Sequence, residues 1–219
     1  MPFDFDTARH VMVEQQVRPV EVLDPRVLDT IGRLRREDFV APRHRKLAYT
    51  DVELPLEHGE KMFKPVLEGR LLQALEIEPE HEVLEVGTGS GYLTACLAEL
   101  ARAVVSIDQH VDFIERAGAR LQQSGVVNVD LACADAMSYE PGRQFDAVAI
   151  TAAVATLPSR FLQWVRPGGR LFVIRGLSPV QEAVVLTRSA GGDDWREESQ
   201  FETDVAYLKG AEPTPRFVF

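Results

Sequence analysis

A glycine-rich turn near the middle of the chain has the residue types and spacing of a cofactor site. An apolar run, residues 83–86, is followed by glycines at positions 87, 89 and 91 and then by a helix-like pattern from Tyr92 to Leu100. Glycines at alternate positions let the backbone turn sharply and approach a ligand closely, and the free N–H groups of the following helix favour an anionic group. The segment therefore predicts a nucleotide-cofactor site.

Glu85 narrows the choice of cofactor. This carboxylate ends the strand just before the turn, where the pyrophosphate of a dinucleotide would lie and would be repelled. S-adenosylmethionine has no phosphate and carries an ammonium and a sulfonium group, so an acid at this point attracts it. Gly91 also comes one residue early for the dinucleotide spacing G-x-G-x-x-G. The turn therefore predicts S-adenosylmethionine as the cofactor.

Two further acids follow the next two predicted strands. Asp108 ends the strand 103–107, seventeen residues after Gly91, where a carboxylate suits the ribose hydroxyls. Asp135 follows the strand 129–133, where its carboxylate is placed to accept a hydrogen bond from the adenine amino group. The alternative is that each acid only caps a strand end or helix. For Asp135 that alternative stays open.

The charge of the chain argues against a general affinity for nucleic acid. The 219 residues have a formal net charge of −10, which repels phosphates. A local basic cluster is expected to be a solvated face, with arginine stems covering apolar surface; it consists of Arg33, Arg35, Arg36, Arg43, His44, Arg45 and Lys46.

The sequence also predicts the compartment. No apolar run approaches the length of a membrane span, and the acidic segment Met1 to Asp6 lacks the pattern of a signal peptide. Cys96 and Cys133 are expected to be buried small residues, as in a reducing environment. These features together favour a cytoplasmic protein that does not bind membranes.

The elements that must position these residues alternate between strand and helix from residue 83 onward. Such alternation predicts an α/β fold with a doubly wound, mostly parallel sheet. Before it, helices are expected at 7–17 and 25–34, then a loop-rich stretch and a helix from Pro65. Segments 182–187 and 205–208 are expected to form an antiparallel pair at one sheet edge, around the turn 191–194. We expect one globular domain, with an N-terminal helical and acceptor-loop segment (1–64) packed on the cofactor-binding core (65–219).

These motifs resemble those of class I S-adenosylmethionine-dependent methyltransferases with a Rossmann-like fold. The segments 85–92, 145–153 and 205–210, with Pro167-Gly168-Gly169, narrow the likeness to the protein-L-isoaspartate O-methyltransferase family. The resemblance implies that the cofactor is held by Glu85, Gly87, Thr88, Gly89, Ser90, Gly91, Tyr92, Asp108, Gln109, Asp135, Ala136 and Thr151. It also implies a carboxylate acceptor in a protein or peptide.

The chain departs from the family pattern in the segment between Leu54-Pro55 and Pro65, called here the acceptor loop. That family has a motif of the form Thr-Ile-Ser-x-Pro, whose last hydroxyl contacts the acceptor carboxylate. The aligned residues here are Lys61-Met62-Phe63-Lys64-Pro65, so a bulky ring without donor or acceptor replaces the hydroxyl. The site residues proposed for the acceptor side are Phe63, Lys61, Lys64 and His58.

Whether methyl transfer needs a general base depends on the chemical class of the acceptor. A carboxylate is already ionised at neutral pH and needs none, whereas an alcohol, phenol or amine must lose a proton, for which His58 and Glu60 are the nearest candidates. Lys61 and Lys64 suit an anionic acceptor. Two alternatives to an isoaspartyl methyltransferase remain. The chain could methylate a different, anionic small-molecule acceptor, or it could be a cofactor-binding module without catalysis. After the strand 145–150 the chain lacks the Asn/Asp-Pro-Pro-aromatic signature of base methylation, which disfavours a nucleobase acceptor.

No metal site is expected from the sequence. The five histidines are scattered along the chain, without the close spacing of metal ligands; they are His10, His44, His58, His81 and His110.

Overall fold

The fold is built on a seven-stranded sheet, in a computed structural model that describes residues 3–192 and 194–214. Met1, Pro2, Asp193 of the predicted turn and the terminal segment Phe217-Val218-Phe219 lie outside the described residues. Within them the strands are β1 (Leu54–Pro55), β2 (Lys61–Met62), β3 (Glu82–Val86), β4 (Ala103–Asp108), β5 (Val129–Cys133), β6 (Phe145–Val154), β7 (Val165–Leu177), β8 (Val180–Arg188) and β9 (Trp195–Thr203).

The sheet has the mixed topology that the sequence predicts. Its strand order is β5-β4-β3-β6-β7-β8-β9, with β1 and β2 forming a separate antiparallel pair. The pairs from β5 to β7 are parallel, and β7-β8 and β8-β9 are antiparallel. The chain runs outward from β3 through β4 to β5 and then returns to the other side of β3 as β6. That reversal leaves a crevice at the carboxyl ends of β3 and β6, where α/β sheets bind ligands.

Helices cover the sheet on both faces. They are α1 (Phe5–Met12), α2 (Pro25–Arg33), α3 (Pro65–Ala74), α4 (Tyr92–Leu100), α5 (Val111–Gln123) and α6 (Ser159–Leu162). Successive residues of β3 point to opposite faces. Val83 packs in the apolar cluster that contains Ile31, Leu71 and Leu97, and Leu84 packs in the cluster that contains Phe161. No described helix is long and apolar enough to cross a membrane.

The predicted N-terminal helices form with local differences. The helix expected at 7–17 ends as an α-helix at Met12 and continues as a π-helical turn, Val13–Val17. The next helix begins as predicted, because Asp24 caps it by accepting a hydrogen bond from the Arg26 N–H at 2.8 Å and Pro25 occupies the first turn.

The prediction that residues 205–208 pair with the strand at 182–187 is wrong. The strand that pairs with β8 is β9, whereas residues 205–208 run beside β6 and make one isolated bridge, Ala153 with Tyr207. The Gln181 side chain holds the Val205 backbone, accepting from its N–H at 2.8 Å and donating to its carbonyl at 3.1 Å. Edge strand β9 pairs on one side only, so its charged residues Arg196, Glu197 and Glu202 stay exposed, and it lacks the apolar run that marks a buried strand.

The predictions of burial for two side chains, Cys133 and Arg36, are also wrong. Cys133 is exposed, because it ends β5, the edge strand at the opposite side of the sheet; Cys96 is buried as expected. Arg36 of the basic cluster is fully buried rather than solvated. Its guanidinium pairs with Glu68, at 3.0 Å and 3.2 Å, which compensates its charge.

Candidate functional site

A cleft of about 640 Å³ opens at the carboxyl ends of the central strands. It occupies the crevice where the strand order reverses, which is where sheets of this kind bind ligands. Its walls contain seven of the predicted cofactor residues, namely Gly87, Gly89, Asp108, Gln109, Asp135, Ala136 and Thr151. The structure thus brings together residues that follow four different strands.

The glycine turn fits tightly between β6 and α5. Gly87 has a φ of 101°, and a Cβ atom there would lie 2.1 Å from the Thr151 hydroxyl oxygen. That hydroxyl donates to the Val86 carbonyl at 2.7 Å. Gly91 has a φ of 83°, and a Cβ there would lie 3.0 Å from the Ala117 Cβ. Only glycine fits these two positions, and of the two Gly87 contributes its backbone to the cleft wall.

Asp108 joins the glycine turn to the start of α5. One carboxylate oxygen accepts the Gly89 N–H at 2.9 Å, and the other accepts the His110 N–H at 2.9 Å. Asp135 accepts the Met137 N–H at 2.9 Å. Both acids therefore act as caps and also line the cleft. A carboxylate oxygen has a second lone pair, so capping leaves each acid able to accept a ligand hydroxyl or amino group.

Glu85 lies beneath the turn rather than in the cleft wall. It is fully buried, and its Oε2 accepts hydrogen bonds from the hydroxyls of Thr94 and Ser106. Its Oε1 has no hydrogen-bond partner among the described residues. Burial raises the pKa of Glu85 to about 8, so the carboxyl is mostly protonated at neutral pH in the free protein. The predicted attraction of cofactor cations by Glu85 therefore requires this group to lose its proton.

Gly91 and Tyr92 also support the glycine turn, from the interior of the protein. Neither is among the residues that line the cleft or the smaller cavity beside it. Tyr92 is 1% exposed and packs edge-on against Phe39, with ring centroids 5.6 Å apart. A direct contact of these two residues with the cofactor stays a prediction.

A smaller cavity of about 330 Å³ adjoins the cleft on the acceptor side of the glycine turn. Thr88 and Ser90 line it together with Phe63 of the acceptor loop. The two cavities share five lining residues: Leu56, Lys61, Gly87, Gly89 and Thr151. The structure therefore places Phe63 next to the predicted cofactor turn, with its side chain packed in the apolar core cluster.

The three other predicted acceptor residues occupy different places. Lys61 lies at the junction of the two cavities, and its ammonium group is 2.7 Å from Glu53; this hydrogen bond raises the pKa of Lys61. Lys64 precedes α3 and lines an outer groove. His58 is absent from the described lining of both cavities and contacts α5 instead, with its Nε2 2.9 Å from an Asp112 oxygen.

The acceptor loop has a buried support that the spacing of residues in the sequence does not indicate. The Arg36 guanidinium donates to the carbonyl oxygens of Phe63 and Ala48 while it pairs with Glu68 on α3. Arg36 and Glu68 are 32 residues apart, so spacing does not connect them. The available signal was Glu68 itself, a charged residue on the apolar face of α3 next to Leu67 and Leu71.

Comparison with known proteins identifies the family. Residues 7–209 match the family model of protein-L-isoaspartate (D-aspartate) O-methyltransferase. A protein-L-isoaspartate O-methyltransferase of Methanoculleus marisnigri is 35% identical, with 84% of each chain covered. One from Jannaschia sp. is 36% identical, with 88% of each chain covered.

A solved structure has the same fold. It is a Plasmodium falciparum chain assigned as a protein-L-isoaspartate O-methyltransferase, in complex with S-adenosyl-L-homocysteine. It superposes with a TM-score of 0.78 at 17% identity and covers 94% of this chain and 99% of its own. The fold, the cleft and the family match agree on the cofactor, S-adenosylmethionine. The chain is an S-adenosylmethionine-dependent methyltransferase and belongs to the protein-L-isoaspartate (D-aspartate) O-methyltransferase family.

Proposed function

We propose that this enzyme methylates a carboxylate of the isoaspartyl class through an acceptor site rebuilt around Phe63. The observation that carries the proposal is the position of Phe63, which is 9% exposed and is one of the residues that line the cavity beside the glycine turn. The family motif has a hydroxyl at the aligned position. We therefore expect lower activity on isoaspartyl peptides than a loop with that hydroxyl would support.

The proposed cofactor contacts come from the cleft wall. The turn at Gly87 and Gly89 exposes backbone to the methionine part, Asp108 suits the ribose, and Asp135 with Ala136 suits the adenine. The Cβ-free backbone at Gly87 and the two carboxylates fit a nucleoside without phosphates. S-adenosylmethionine supplies the methyl group as a sulfonium electrophile for in-line displacement.

A carboxylate acceptor suits the groups that surround the reaction site. An acceptor with a pKa of about 4 is ionised at neutral pH, so the chain has only to exclude water and align the two reactants. His58, one candidate base, is turned toward Asp112 and away from the cavities. Lys61 lines both cavities, and its positive charge would favour an anionic acceptor that competes with Glu53 for the ammonium group.

Methyl transfer to an isoaspartyl peptide tests the proposal. The wild type, Phe63→Ser and Phe63→Ala are compared by labelled-methyl incorporation, with the matching aspartyl peptide as the substrate control. Loss of an oriented hydrogen bond to a charged group lowers activity roughly ten- to a hundredfold, so Phe63→Ser is expected to raise activity by about that factor. Phe63→Ala removes the bulk without adding a donor and separates the two effects.

Two outcomes distinguish the possible roles of Phe63. If the activities of Phe63→Ser and Phe63→Ala rise equally, the ring acts by steric exclusion alone. If the wild type is already efficient and Phe63→Ser changes nothing, Phe63 does not contact the acceptor and the proposal fails.

The position of Lys61 favours one alternative, an anionic small-molecule acceptor. A screen of small carboxylates with labelled cofactor tests it, with Lys61→Met as the variant and Lys46→Met, an exposed lysine outside both cavities, as the control. Transfer to a small carboxylate that falls in Lys61→Met but not in the control would favour this alternative over a peptide acceptor.

A further inference from the structure

Two histidines that are distant in the sequence meet at the edge of the cofactor cleft. The imidazole rings of His58 and His110 stack with centroids 3.9 Å apart and an interplanar angle of 3°. His58 belongs to the acceptor loop, and His110 precedes α5 and lines the cleft. The spacing of the histidines in the sequence does not show this contact, because it depends on how the acceptor loop packs against α5.

Asp112 completes a group of three donors. Its Oδ1 lies 2.9 Å from His58 Nε2, and one donor atom from each of His58, His110 and Asp112 lies within 4.8 Å of the other two. Ligands of a tetrahedral Zn²⁺ lie about 3.3 Å apart, given Zn–N distances of about 2.0–2.1 Å. Coordination of one ion would therefore require a small adjustment of the side chains, and the His58 side chain is 41% exposed rather than enclosed.

The surroundings of the three donors suit a cation. Asp112 Oδ1 is within hydrogen-bond distance of His58 Nε2, so the carboxylate is already directed at one of the two imidazoles. Arg116 lies 3.1 Å from the other Asp112 oxygen and also pairs with Glu57, which offsets the arginine charge. Phe113 packs edge-on against both imidazoles, at 5.4 Å and 5.3 Å, and forms an apolar wall behind them.

The backbone of His58 adopts an uncommon conformation. Its φ of 60° and ψ of 13° lie in the left-handed region, which non-glycine residues rarely occupy. Such conformations cost free energy and cluster at functional sites. In this conformation the His58 ring lies against α5 rather than in solvent alone.

We propose that His58, His110 and Asp112 bind one divalent transition-metal ion of the Zn²⁺ class. Two imidazole nitrogens and one carboxylate oxygen form a three-ligand set that leaves a fourth position for water. The bound ion links the acceptor loop to the first turn of α5. Leu56 and Glu60, on either side of the His58 turn, line the cleft, so the ion fixes one wall of the cofactor site.

Metal titration of the untagged full-length protein, stripped with chelator, tests this site without any measurement of methyl transfer. Calorimetry with ZnCl₂ is expected to show one equivalent bound by the wild type. His58→Ala and His110→Ala are each expected to lower the affinity at least about tenfold, since each removes a ligand. With CoCl₂, the visible absorption of a low-coordinate site is expected in the wild type and lost in both variants.

Two control variants separate this site from other metal-binding groups. His44→Ala removes an imidazole that contacts Arg43, and Cys133→Ser removes the exposed thiol; both are expected to bind Zn²⁺ as the wild type does. Zn²⁺ is also expected to raise the melting temperature of the wild type but not of His58→Ala. Absence of binding at millimolar Zn²⁺, or binding that persists in both His58→Ala and His110→Ala, would overturn the proposal. Loss of binding in Cys133→Ser alone would assign the ion to the thiol instead.

Discussion

At the scale of single residues, Asp108 is a backbone cap that is also predicted to bind the ribose of the cofactor. Its two oxygens hold the N–H groups of Gly89 and His110, and its side chain lines the cofactor cleft. We expect Asp108→Ala to weaken binding of S-adenosyl-L-homocysteine by roughly 1–3 kcal/mol, because the ribose loses a charged acceptor and the turn loses a tether. Calorimetry measures the affinity, and circular dichroism verifies the fold.

Asp108→Asn serves as the matched variant for this experiment. It keeps one acceptor oxygen but loses the charge, so its affinity should fall between those of the wild type and Asp108→Ala. Unchanged affinity in a folded Asp108→Ala variant would show that Asp108 is only a cap.

Glu85 makes the stability of the protein depend on pH. Burial raises its pKa from 4.5 to about 8, so between these values the folded protein binds a proton that the unfolded chain has released. The free energy of unfolding therefore falls as pH rises across this window, by up to about 1.4 kcal/mol per pH unit, and this contribution is lost above pH 8. Glu85→Gln is expected to flatten that dependence, as measured by urea unfolding at pH 5, 6.5, 8 and 9.

The control for the pH series is Glu80→Gln, an exposed residue before the same strand. It should follow the wild-type profile. If Glu85→Gln also follows the wild-type profile, Glu85 is ionised in the folded protein and its predicted proton uptake is wrong.

At the scale of elements, the buried Arg36–Glu68 pair fixes the acceptor loop to α3. Arg36 is 0% exposed and Glu68 is 3% exposed, and the guanidinium also holds the Phe63 carbonyl. Arg36→Met leaves an unpaired buried carboxylate and is expected to destabilise the protein by roughly 3–5 kcal/mol. The measurement is the free energy of unfolding in urea.

The double variant Arg36→Met/Glu68→Leu separates charge from packing. It removes both charges, so it should recover much of the loss. A cost below about 1 kcal/mol for Arg36→Met alone would mean that the pair does not bear on the position of the loop.

At the scale of the whole molecule, we expect the net charge of −10 and the cleft acids Asp108 and Asp135 to disfavour phosphate-bearing cofactors. S-adenosyl-L-homocysteine at a hundred times its Kd stabilises the folded state by about 2.7 kcal/mol. For a chain of this length that corresponds to a rise in melting temperature of roughly 5–10 °C. NAD at the same concentration is expected to produce no shift in a thermal melt. A matching shift with NAD would contradict the selectivity assigned to the cleft.

The sequence by itself determined the parallel core and the cofactor half of the site. The buried runs of β3, β4 and β6, the glycine turn and the acids at 108 and 135 are local signals, each legible within about ten residues. A doubly wound sheet brings the carboxyl ends of its strands to one edge. Local signals were therefore sufficient to place Gly87, Asp108 and Asp135 in one cleft.

Only the tertiary structure decided the features that depend on contacts between distant segments. Strand β9 gains its strand conformation from pairing with β8, since its exposed charged residues show no buried run. The acceptor loop crosses the end of the sheet, and this path brings His58 to Asp112, 54 residues away, and Arg36 beneath Phe63. Composition and spacing do not encode which surface a loop packs against, because that depends on the packing of the whole core.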